Sequence, residues 1–102
     1  MLTEKTISNP RMMAMICRYE FCKYYNIYMG LDGAFEKSTS KRNIAFFFYL
    51  LFEFGIKWAD IYTYSGYNTG TVYTLKKEFY KESQSVMWCK QMAEIVEKIK
   101  NL

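Results

Sequence analysis

Lys41-Arg42-Asn43-Ile44-Ala45-Phe46-Phe47-Phe48-Tyr49-Leu50-Leu51-Phe52 is the stretch whose reading decides the fold. From Ile44 to Phe52 no residue is charged, so a helix over about 40–54 has no polar face and must lie at the centre of a domain. Spanning a bilayer takes about 20 such residues, so the run predicts a buried helix and not a membrane segment. Gly55 ends it. A second short helix is expected from Lys57 to Ser65, with Trp58 and Ile61 facing inward, and Gly66 supplies a tight turn. A third opens at Asn68-Thr69-Gly70-Thr71-Val72 and is expected to run to about Glu82, with Asn68 or Thr69 as its cap. Two short helices joined by a Gly-containing turn and packed on a longer apolar one spell a helix-turn-helix, whose second helix enters the DNA major groove.

The flanks complete an all-α reading of five or six helices. Asn9-Pro10 is a helix start, with Asn as N-cap and Pro at the first helical position, where a missing N–H costs nothing. Met13, Ile16, Cys17, Phe21, Tyr24, Tyr25 and Tyr28 recur at helical spacing, and Gly30 is the expected C-cap. Leu31 and Phe35 are expected to tuck under the turn that follows. Residues 1–8 read as polar and loosely ordered. In the last helix, about 85–101, Val86, Cys89, Ala93, Val96 and Ile99 are the expected buried stripe. One domain accounts for all 102 residues.

Charge is concentrated. Residues 37–81 hold seven basic residues (Lys37, Lys41, Arg42, Lys57, Lys76, Lys77, Lys81) against Glu53, Asp60 and Glu78, a surplus of four. The rest of the chain balances, so the whole net charge of +4 lies in the expected helix-turn-helix. An anionic backbone partner would require such a placement. Lys37, Lys41, Arg42, Lys76 and Lys77 are therefore candidate DNA-backbone contacts. Asn68, Thr69, Thr71, Tyr73 and Thr74 occupy the start and outer face of the third helix and are candidate base readers. A plainer role stays open for Asn68 and Thr69, as caps of that helix.

The chain has no histidine, no Gly-rich phosphate loop, and no metal-ligand spacing among Cys17, Cys22 and Cys89. No cysteine has a nameable activating neighbour. A binding protein without catalytic activity, cofactor or metal is expected. The first ten residues include Glu4, Lys5, Asn9 and Pro10 and no apolar core of a signal peptide, and the odd thiol count suits a reducing cytosol; a cytoplasmic location is expected.

The order of these parts resembles the C-terminal DNA-binding domain of the DnaA replication initiator. The resemblance covers about residues 10–102 and rests on three places. They are Tyr24-Tyr25 near the end of the first long helix, Arg42-Asn43-Ile44-Ala45 after the basic loop 37–41, and Asn68-Thr69-Gly70-Thr71-Val72 at the recognition box. Asn68-Thr69 stand where that family has Asp-His, and the turn after Gly66 is one residue shorter. The shorter turn is similar to that of the Trp-repressor-like helix-turn-helix. The resemblance implies double-stranded DNA as partner, in a role regulatory or accessory to replication or transcription. It does not carry over the initiator's ATPase. The alternative is a helical protein–protein interaction or self-association domain that keeps the fold without DNA. Its ground is a surface rich in Tyr and Met. A ligand-responsive regulator with an aromatic pocket is a third possibility.

Overall fold

The computed structural model describes residues 2–102. Among them are six α-helices: α1 Glu4–Ile7, α2 Pro10–Tyr25, α3 Lys41–Glu53, α4 Trp58–Ser65, α5 Thr69–Glu78 and α6 Val86–Lys100. A 3₁₀ turn at Glu82–Gln84 leads into α6. No strand forms among the described residues; Met29 and Phe35 make a single antiparallel bridge across the loop after α2. Asn9 caps α2 by accepting from the Met12 N–H at 3.2 Å, with Pro10 behind it. Ser40 caps α3, Asn68 caps α5 and Ser85 caps α6 in the same way.

Helix α3 is the axis of the packing, as its sequence requires. Ala45, Phe46, Phe47, Phe48, Leu50 and Leu51 are all fully buried. Helices α2, α4 and α5 each pack against it, and α6 lies along α2. Rings link the core end to end. Tyr67, Phe35, Phe47, Phe21, Phe46, Trp88, Tyr49, Trp58 and Phe52 follow one another with centroid separations from 4.8 to 6.3 Å.

Residues 4–7 are helical, with Thr3 capping the Thr6 N–H, and the Leu2 N–H donates to the Leu102 carbonyl at 3.0 Å. Three expectations are corrected. Helix α2 ends at Tyr25 because Asn26 adopts the left-handed conformation (φ 53°, ψ 49°), so Gly30 is not its cap and Tyr28 is exposed. Leu31 is fully exposed and only Phe35 is buried. Helix α5 stops at Glu78, short of Glu82.

Helix α6 is also rotated from the expected register. Trp88, Met92, Ile95 and Ile99 are buried, whereas Val86, Cys89 and Ala93 are exposed. The two stripes are neighbours on one helix and share Ile99. Trp88 decides between them, because its indole packs on Phe46 and Tyr49 and removes the largest apolar area from water.

Candidate nucleic-acid interface

Helices α4 and α5 are joined by Gly66-Tyr67-Asn68. Gly66 sits in the left-handed region (φ 82°, ψ 2°), which L side chains rarely adopt, and nothing lies within 4 Å of where its Cβ would stand. The turn is tied at both ends. The Tyr67 N–H donates to Ser65 Oγ at 3.2 Å, and Asn68 Oδ1 accepts from the Thr71 N–H at 2.7 Å. Gly70 leaves room for that cap: a Cβ there would stand 3.3 Å from Asn68 Oδ1.

The end of α4 is fixed from outside by Arg18 of α2. Its Nη2 donates to the carbonyls of Tyr64 and Ser65 at 3.0 and 2.9 Å, and its Nη1 to the Gly33 carbonyl. A guanidinium at a helix C-terminus also meets the negative end of the dipole. The guanidinium lies 5.2 Å from the Phe47 ring and 5.4 Å from that of Phe35, so the clamp rests on the core.

Four of the candidate DNA residues converge. Lys41, at the first turn of α3, lines one groove with Asn68, Thr71 and Thr74 of the α5 segment. Ile44, Gly70, Leu75 and Glu78 complete its walls, and its volume is about 520 Å³. Thr71, Thr74 and Glu78 fall at i, i+3 and i+7, one stripe of α5 beside the buried Val72 and Leu75. That spacing is legible in the sequence, but Glu78 and Ile44 were not among the candidates. The groove therefore carries one carboxylate beside its one ammonium, at the N-terminal end of α5, where the Thr71 N–H is already capped by Asn68.

The other candidates lie elsewhere. Thr69 is exposed at the start of α5, Lys77 is exposed farther along it, and Lys37 is exposed in the loop before α3. Lys76 sits on the opposite flank of α5 from Thr71, its Nζ 4.7 Å from the centroid of Trp58 and 5.8 Å from that of Tyr73. Arg42 turns away from the groove. Its Nη2 donates to Gln91 Oε1 at 2.6 Å, its Nη1 to the Tyr25 hydroxyl at 3.1 Å, and its Nε to Glu82 at 3.4 Å. The guanidinium plane rests 4.7 Å from the Trp88 ring. Arg42 thus clasps α2, α3 and α6 together, and its donors are engaged inside the protein. No local signal in Lys41-Arg42-Asn43 separates the two basic residues; partners 17 and 49 positions away do.

No group of His, Cys, Asp and Glu among the described residues is gathered as metal ligands would be. No helix of the described residues is long and apolar enough to cross a membrane. No protein-family model, curated protein or solved structure matches the chain.

Proposed function

We propose that this chain is a non-catalytic domain that binds double-stranded DNA, with α4 and α5 used as a helix-turn-helix of the DnaA C-terminal or Trp-repressor-like kind. The observation that carries the reading is the groove shared by Lys41, Asn68, Thr71 and Thr74. It joins a surface ammonium, an α5 N-terminus and two outward threonines within a segment that holds the chain's entire charge surplus. In this reading Lys41, Lys37 and Lys77 meet phosphates. Thr71 and Thr74 meet base edges, where a threonine methyl packs on that of thymine. Asn68 positions the helix more than it reads, since its Oδ1 already accepts from the Thr71 N–H.

The test is fluorescence anisotropy of the full chain on a labelled duplex over a range of salt concentrations. Each neutralised phosphate contributes about 0.9 to the slope of log affinity against log salt. Lys41→Ala and Lys77→Ala should each flatten that slope by about that amount and weaken all sequences alike. Thr71→Ala should instead change the motif recovered from random duplexes, by roughly 1–3 kcal/mol at one position. Absence of salt-dependent binding at low ionic strength sinks the proposal. The second reading, a helical interaction domain without DNA, draws support from Arg42 and Asn68, whose polar atoms serve the protein's own packing. It predicts that no duplex binds.

A further inference from the structure

A second groove lies between α2, the loop after it and α4. Met15 and Tyr19 of α2, Met29 and Leu31 of the loop and Tyr64 of α4 line it, with Arg11 and Arg18 along its basic side. Met15 and Tyr19 are 65% and 60% exposed. Leu31 is presented at the tip of a tight turn and is fully exposed.

That turn is well tied. The Gly30 N–H donates to the Ala34 carbonyl at 2.9 Å, the Gly33 N–H to the Gly30 carbonyl at 2.9 Å, and the Ala34 N–H to Asp32 Oδ1 at 3.1 Å. Arg18 holds the Gly33 carbonyl from below. The leucine displayed on this ordered turn stands beside a methionine, a tyrosine and two arginines, and Met, Tyr and Arg are the types enriched at protein contacts.

The charges choose among occupants. Along α2, Arg11, Met15, Tyr19 and Lys23 stand four apart and form one ridge that is basic at both ends. The Lys23 Nζ lies 5.9 Å from the Tyr19 ring, at the border with a neighbouring groove that Lys23 lines together with Glu20, Glu94 and Glu97. Asp32 is the one carboxylate among the lining residues, against Arg11 and Arg18. A second copy laid antiparallel on α2 would set Arg11 against the copy's Lys23, like charge on like. A bilayer is flat, whereas this surface is concave and receives a ridge.

We infer that the groove docks an amphipathic helix of another protein whose apolar ridge is flanked by carboxylates, in the manner of a helix laid in an apolar groove. It shares no lining residue with the Lys41–Thr74 groove, so the inference does not rest on DNA binding.

The experiment is an amide-shift titration of the isotope-labelled full chain with a synthetic helical 16-residue peptide carrying leucines at i, i+4, i+7 and i+11 and glutamates on both flanks. A control peptide keeps the leucines and replaces every glutamate by lysine. The acidic peptide should shift the amides of Met15, Tyr19, Leu31 and Tyr64 and bind at least tenfold more tightly than the control. Leu31→Ser and Arg11→Glu should each weaken it at least fivefold with the melting temperature unchanged, since both side chains are exposed. Equal binding of the two peptides, or no shift at those amides, overturns the inference. So does self-association in sedimentation, or binding to vesicles containing phosphatidylserine, that Leu31→Ser abolishes, because either outcome assigns the groove another occupant.

Discussion

Cys17 and Cys22 are buried in the contact of α2 with the core, and Cys89 is exposed. Burial pushes the Cys17 thiol from 9.0 up to about 12. The folded chain keeps that proton where the unfolded chain has released it. Its contribution to stability is whole below pH 9 and is lost as pH rises toward 12. Burial raises Tyr25 and Tyr67 too, which works in the same direction. The urea midpoint should therefore fall above pH 9, and less steeply in Cys17→Ala. Iodoacetamide on the native chain near neutral pH should add a single label, on Cys89; three should appear only after unfolding, as mass spectrometry would show. Arg42 gives a second residue-scale outcome. With four charge-assisted hydrogen bonds and an indole beneath it, Arg42→Ala should lower stability by about 2–4 kcal/mol in urea titration. Arg42→Lys should recover little of that, because an ammonium cannot fork between Gln91 and Tyr25. A purely surface phosphate contact would leave the midpoint unmoved.

At the scale of elements, what was legible was what a local rule decides. The apolar run made α3 central, Asn9-Pro10 marked the start of α2, and Gly66 marked the turn before α5, each through backbone chemistry contained in a few residues. Where two local rules were equally satisfied, distant partners chose. Asn26 and Gly30 both suit a left-handed cap, and Asn26 took it, placing the loop so that Met29 bridges Phe35. In α6 both candidate stripes are helical in period, and contact of Trp88 with α3 selected one. The outcome is measurable. Ile95→Ala should destabilise by about 2–5 kcal/mol and Val86→Ala by less than about 0.5 kcal/mol. The reverse order would restore the register first read from the sequence. Of the candidate site, the cap and the outward threonines follow from position on a helix. The division of the basic residues does not: Lys41 borders the groove, Lys76 lies on Trp58, and Arg42 is drawn inward, each by residues far away in the chain.

At the scale of the whole molecule, the two grooves belong to one small body with a radius of gyration of 12.8 Å. Arg18 reaches both the docking loop and the last carbonyls of α4, immediately before the turn that leads into α5. The unbroken series of rings across this body has an optical consequence. Both tryptophans of the chain belong to it, each edge-on to Tyr49 at 4.8 and 5.6 Å. Chromophores held at fixed angles in a chiral surrounding give near-ultraviolet dichroism, and that signal disappears when side-chain packing loosens even if the helices persist. Tyrosine emission should be almost silent in the folded chain, since neighbouring indoles take up its excitation, and should emerge as the rings part. The protein thus carries its own gauge for telling a tightly packed interior from a merely collapsed one, with no dye attached.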